Sequence, residues 1–252
     1  MTHYPFPDSR GTKIAFAAFF TAMLFLARDS MFTTAVIGFE KAQFLMLGVI
    51  CLLGVAFLIV NRRNLLQILK DRRMIVAGIA AAVLLLPMLV KRDWQLMYFS
   101  VLLCLLTAVL LSYCLTVREA AKYYVAILSL LGAYSVLAAY ILRIGVDSGA
   151  YAVPVFRNSM GFEFHNFFLS IVPDTYVKNR NFGIFREPGV YQFFLITALY
   201  LNNYEVEWKK EWQLWAVNGI LAATMVSTFA TGGVAEMGLL AIVLFFDKKW
   251  YI

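Results

Sequence analysis

Arg180-Asn181-Phe182-Gly183-Ile184-Phe185-Arg186-Glu187-Pro188-Gly189 sets two guanidiniums, a carboxylate, two glycines and a proline directly ahead of a hydrophobic run that reaches Leu201. Pro188 suits the first turn of a helix, because its fixed φ fits there and its missing N–H is not needed. The apolar helix predicted from Pro188 to Leu201 therefore turns its free N–H groups and positive dipole end back toward Arg180 and Arg186. Arginines beside a helix N-terminus make a seat for an anion such as a phosphate, and Glu187 adds an acid/base or orienting group. The same residues also fit a membrane-interface turn with snorkelling arginines. Both readings stand at this point.

Working outward, the chain of 252 residues is 62% hydrophobic and 15% charged, with a mean hydropathy of +0.75. A soluble domain carries far less apolar sequence, so the expected class is an all-α, polytopic membrane bundle forming one integral membrane domain over residues 1–252. Eight spans are predicted: Ile14–Ala27, Ala42–Val60, Met74–Val90, Trp94–Val117, Tyr123–Leu142, Pro188–Leu201, Trp212–Phe229 and Val234–Phe246. The first reads as a transmembrane helix rather than a cleaved signal peptide. Residues 1–142 hold spans one to five, 143–187 one long extracytoplasmic loop, and 188–252 spans six to eight. The loop between spans two and three carries Arg62, Arg63, Lys70, Arg72 and Arg73, which marks it as cytoplasmic and puts both termini on that side of the cell inner membrane. Cys51, Cys104 and Cys114 lie in apolar runs and imply no disulfide framework. The basic residues are scattered over loops without a nucleic-acid-binding motif, so no nucleic acid partner is expected.

The long connection has apolar weight in Phe156, Phe162, Phe164, Phe167, Phe168, Ile171 and Val172. A short interfacial helix is expected near Gly161–Val172. His165 in this stretch reads either as a general base or phosphate donor, or as an amphipathic surface residue. It has no second histidine or cysteine nearby, so no metal site is expected. Span six is short for a bilayer, which argues that Arg180–Glu187 lines a recess open to the outside. Thr228, Thr231, Gly232, Gly233 and Glu236 return to the same level. Glu236, an ionisable residue inside a span, flags function or a buried partner, and an arginine at 180 or 186 is the natural one.

The wording Arg180-x-x-Gly183-x-Phe185-x-Glu187-Pro188 after a long outer loop, with Ser227-Thr228 and Thr231-Gly232-Gly233 further on, resembles the bacterial O-antigen ligase and polymerase family, above all the Wzy-type polymerases of capsular and exopolysaccharide pathways. Family members usually have ten or more spans and a second large outer loop, so the resemblance reads as one to a short or truncated member. It implies a glycosyltransferase that joins polyprenyl-pyrophosphate-linked oligosaccharide repeats at the outer face of the membrane, with no cofactor. Its partners would be membrane lipids and other polysaccharide-assembly proteins. The alternatives are a ligase moving glycan to an acceptor and, from another class, a transporter of a lipid-linked or anionic solute. The expected site comprises Glu187, Arg180 and Arg186 as catalytic groups, with Gly183, Gly189, Arg157, His165 and Glu236 binding substrate.

The topology has a direct test. In single-cysteine variants, positions 148 and 178 are expected to label from outside intact cells, and positions 64 and 210 only after permeabilisation. Labelling of position 178 only in permeabilised cells overturns the assignment.

Overall fold

The computed structural model describes residues 10–27, 30–64, 68, 70–92, 96–157, 161–174 and 180–247. It is mostly helical, and at each of the eight positions expected for a span it has a helix of at least 17 residues. Three helical stretches, Glu40–Val60, Arg72–Val90 and Val117–Asp147, are long and apolar enough to cross a membrane; Val101–Cys114 and Thr231–Leu244 are shorter apolar helices. Large apolar side chains such as Leu52, Ile79, Leu130 and Leu239 stand exposed on the helices, a surface suited to lipid rather than water. The chain divides into two compact units, residues 1–28 with 38–120 and residues 29–37 with 121–252.

The first unit holds α1 (Arg10–Leu26), α2 (Phe39–Val60), α3 (Arg72–Lys91) and α4 (Leu96–Cys114). Helix α2 packs on α1 and α4, and α4 also packs on α3. Asp71 caps α3, its carboxylate accepting from the Arg73 backbone N–H at 2.8 Å and from the Arg73 guanidinium at 3.0 Å. The Arg73 guanidinium hydrogen bond, then that backbone bond, holds the Asp71 carboxyl below the usual carboxylate range. Arg73 also donates to the Ser112 carbonyl at 2.7 Å and lies 4.0 Å from the centre of the Tyr113 ring, tying α3 to the end of α4.

Helix α5 begins at Val117, six residues before its expected start. Thr116-Val117-Arg118-Glu119 is a capping box: Thr116 N–H donates to the Glu119 carboxylate at 2.8 Å, and Glu119 N–H donates to the Thr116 hydroxyl at 3.2 Å. The helix runs to Leu137, widens into a π-helical turn over Ala138–Leu142, and ends in α6 (Arg143–Asp147).

Beyond α6 the expected interfacial helix is replaced by a small antiparallel sheet, β1 (Val155–Arg157), β2 (Glu163–Asn166) and β3 (Ile171–Pro173), in that spatial order. Gly161 and Phe168 both take left-handed φ, 83° and 74°, so a helix cannot run through this stretch. The Asn166 side chain accepts from Phe168 N–H at 2.9 Å and holds the turn between β2 and β3. The apolar residues that suggested one helix face serve two clusters. Phe164 and Ile171 pack with Met31 and Phe182, whereas Phe167 and Val172 pack on Ala138 and Ala139 of the π-helical turn.

The second unit ends with α7 (Pro188–Tyr204), α8 (Glu211–Ser227) and α9 (Thr231–Asp247), which pack on one another. Helix α7 starts at Pro188 as expected and continues three residues past Leu201. Gly132 of α5 lies where an added Cβ would meet the Thr224 hydroxyl at 2.8 Å, so the glycine permits α5 and α8 to touch. At the far end of the α7–α8 hairpin, Asn202 and Asn203 both donate to the Asn218 side-chain oxygen, at 2.8 and 3.0 Å, and Asn218 donates back to Asn203 at 3.1 Å. Trp208 Nε1 donates to Asn202 at 2.8 Å. Replacing Asn218 by Ala removes all three of these side-chain bonds and leaves Asn203 Nδ2 to the Leu199 carbonyl at 2.8 Å, so Asn218→Ala is expected to cost about 1–3 kcal/mol, seen as a lower thermal midpoint in detergent. An unchanged midpoint rules out that role.

Candidate functional site

The Arg180–Glu187 loop is held by Asn181, which is only 1% exposed. Its Nδ2 donates to the hydroxyls of Ser135 on α5 and Ser227 on α8, at 2.8 and 3.0 Å. Its Oδ1 accepts from Gly183 N–H at 2.9 Å, and its own N–H donates to the Ser227 carbonyl at 3.0 Å. Gly183 follows with φ 55°, and an added Cβ there would lie 2.6 Å from the Tyr191 ring. The Tyr191 hydroxyl in turn lies 3.1 Å from the Ser135 hydroxyl. Gly183 and Ile184 offer their carbonyls to Ile171 and Met31, at 2.7 and 2.8 Å, which ties the loop to β3 and to residues 30–31. Phe185 stacks on Phe194 of α7, ring centres 4.4 Å apart. The loop is thus anchored from Asn181 to Phe185 before Pro188 starts the helix.

Behind the loop lies a recess of about 300 Å³ lined by Arg180, Gly189, Gln192, Thr231, Gly233 and Glu236, with Phe193, Ala230 and Gly232 completing its wall. Two helices begin at this recess. In α7 the preceding Glu187 is extended and makes no side-chain cap, and in α9 the residue before Thr231 is Ala230, which has no side-chain oxygen to cap with. The uncapped start of α7, and the first N–H groups of α9 that no flanking side chain takes, leave a positive dipole end available to an anion. Gln192 fixes the geometry between them. Its Nε2 donates to the Thr228 hydroxyl at 2.6 Å and to the Ala230 carbonyl at 2.7 Å, and its Oε1 accepts from Gly233 N–H at 2.7 Å. A Cβ on Gly233 would come within 2.1 Å of that amide, so the glycine sets how closely α9 approaches α7.

Of the sequence-predicted residues, the recess brings together Arg180, Gly189 and Glu236. Gly183 shapes the loop behind them. Arg186 and Glu187 are exposed and face each other in a loose pair at 3.8 Å, with neither lining the recess. Arg157 and Glu163 are cross-strand partners on β1 and β2 and form an exposed ion pair, Arg157 Nε donating at 2.7 Å. His165 lies on β2, its Nε2 3.3 Å from Asp174, and the Asp174 carbonyl accepts from the buried Arg143 at 3.0 Å. Among the described residues no three His, Cys, Asp or Glu side chains come together in a way that could hold a metal ion. The residues that sequence reading passed over are Asn181, Gln192, Tyr191 and Ser135. Gln192 had a signal, because a glutamine one turn into an apolar span needs a partner.

Chemically, the recess offers one guanidinium, two helix N-termini and one carboxylate on a shared wall. The cationic groups suit an anion, and the carboxylate suits a hydroxyl donor that must be oriented or deprotonated. Comparison with known proteins finds no family model, curated protein or solved structure that matches this chain.

The two motif glycines are expected to behave differently. Gly183→Ala carries about 1–2 kcal/mol for left-handed backbone and about 1–3 kcal/mol for crowding Tyr191. Gly189→Ala meets nothing within 4 Å and should leave stability unchanged or slightly raised. Thermal unfolding in detergent decides it, and equal effects of the two substitutions overturn the loop argument.

Proposed function

We propose that this chain is a membrane-embedded glycosyltransferase that joins polyprenyl-pyrophosphate-linked glycan repeats at the outer face of the cytoplasmic membrane. The observation that carries the reading is that Arg180 and Glu236, 56 positions apart in numbering, line one recess at which α7 and α9 both begin. In this reading the Arg180 guanidinium and the helix N–H groups receive the pyrophosphate and stabilise it as it leaves the reducing-end sugar. Glu236 orients the acceptor hydroxyl and takes its proton as the new glycosidic bond forms. Glu187 and Arg186, exposed just ahead of α7, guide the charged head of the lipid toward the recess in this reading. The resemblance of Arg180–Gly189 to the O-antigen polymerase wording supports the choice of substrate.

All eight long helices span the membrane in this proposal, with both termini cytoplasmic. The coincidence of helices with the predicted spans supports it. So does the basic connection between α2 and α3, the side expected to face the cytoplasm. Helix α7, with 17 residues, rises about 25 Å, somewhat less than a hydrocarbon core of about 30 Å. The recess then lies below the outer surface, within reach of a lipid-borne pyrophosphate.

The glycan profile of a deletion strain tests the reading. Lipid capped with a single repeat is the expected result. Unattached long polymer points instead to a ligase, and cytoplasmic accumulation to transport. In the complemented strain, Arg180→Ala is expected to slow elongation about 10- to 100-fold. Arg180→Lys should not restore it, because an ammonium lacks the planar fork. Glu236→Gln should lose about 100-fold or more. Normal elongation in all three variants removes the recess from the mechanism.

A further inference from the structure

A second groove lies in the first unit. It runs between α3 and α4 with a volume of about 640 Å³. Its walls are apolar, formed by Val76 and Ala77 of α3 and by Leu105, Ala108 and Val109 of α4. Its mouth is polar and cationic, because Asp71, Arg72 and Arg73 stand there at the first turn of α3. The Asp71 carboxylate is already engaged by Arg73, at 3.0 Å between Nη2 and Oδ2. Arg73 itself is tied to the Ser112 carbonyl and the Tyr113 ring. Arg72 is exposed, and its side chain makes no hydrogen bond or ion pair among the described residues. The mouth therefore presents one guanidinium without a carboxylate partner, beside a helix N-terminus, above a slot of aliphatic side chains.

We infer that this groove binds a glycerophospholipid with an anionic headgroup, its phosphate on Arg72 and one acyl chain between α3 and α4. Charge and shape point to the same occupant. Arg62, Arg63 and Lys70 lie on the same connection as Arg72, and a cluster of basic residues beside a membrane helix concentrates anionic lipid at its surface. The slot accepts hydrocarbon without stranding a polar group, since its one hydroxyl, on Ser112, donates to the Val109 carbonyl at 2.7 Å. Ala77 and Ala108 keep the wall shallow where Leu or Phe would fill it. The inference rests on α3 and α4 being membrane helices and is independent of the chemistry proposed at Arg180.

Native mass spectrometry of the full chain, purified in detergent and titrated with phosphatidylglycerol or phosphatidylethanolamine, tests it. The wild type is expected to retain phosphatidylglycerol about fivefold more strongly. Arg72→Gln should abolish that preference and Lys209→Gln, on the exposed turn before α8, should leave it intact. Ala108→Phe should reduce retention of both lipids. A photoreactive acyl chain on phosphatidylglycerol should mark α3 and α4 in the wild type, which keeps the test alive if a variant fails to fold. Equal retention of the two lipids, a preference that survives Arg72→Gln, or labelling confined to other helices overturns the inference. Cross-linking between two copies through Ala108→Cys would show a protein helix in the groove, and also overturns it.

Discussion

The buried amide of Asn181 is the interaction on which the second unit depends. Lipid-facing helices gain little from hydrophobic association, so close packing and hydrogen bonds must hold them together. One side chain here joins a helix of the middle of the chain, a helix of its end, and its own loop. Both Nδ2 protons are used, on Ser135 and Ser227, and Oδ1 takes Gly183 N–H. Those serines are themselves satisfied, Ser135 donating to the Gly132 carbonyl at 2.8 Å and Ser227 to the Thr224 carbonyl at 2.5 Å. A buried network of this sort is stable only when complete, since each unmet group carries its full desolvation cost. Completeness requires α5, the loop and α8 in one fixed arrangement, and that arrangement places Arg180, the next residue back, at the recess.

Much of this was legible from hydropathy. Long apolar runs between basic loops gave the position of every long helix, and Pro188 gave the start of α7. The start of α5 was misjudged because Thr116 and Glu119 are polar residues that look like loop, although together they spell a capping box. The sheet was hidden for another reason. Phe164 and Ile171 face one cluster while Phe167 and Val172 face another, so the apolar residues of β2, β3 and the turn between them serve two cores, and their spacing mimics a helix face. Gly161 and the turn-forming Asn166 were the contrary signals.

The candidate site was legible in part, and the divide has a physical basis. Charged residues announce themselves in an apolar chain, so Arg180 and Glu236 were visible at once. Which arginine would share the recess with Glu236 was not visible, because Arg180 and Arg186 are separated by a loop whose path depends on the left-handed turn at Gly183. Position 183 must be glycine partly because a Cβ there would lie 2.6 Å from the Tyr191 ring, and Tyr191 reads in sequence as one more aromatic in a span. Gln192 is similar. Its role follows from Gly233, 41 positions later by the hydrogen bond they share, and no local pattern links the two.

The electrostatics of the recess follow from what the chain omits. A serine or aspartate before α9, or a capping carboxylate before α7, would occupy the first-turn N–H groups and cancel much of the positive end of each helix. Ala230 does neither, and Glu187 is extended and pairs with Arg186 rather than with its own helix. In a lipid environment such N–H groups are costly unless water or a ligand reaches them. If the recess lies at bilayer depth, as proposed, an aqueous or anionic phase reaching it would meet that cost. Gln192 satisfies only Gly233, the third residue of α9, and in doing so locks the two helix starts at a fixed separation. Leaving α7 without a side-chain cap and capping α9 only through Gln192 thus makes the recess polar, fixes the separation of its two helix starts and leaves first-turn N–H groups open to an anion.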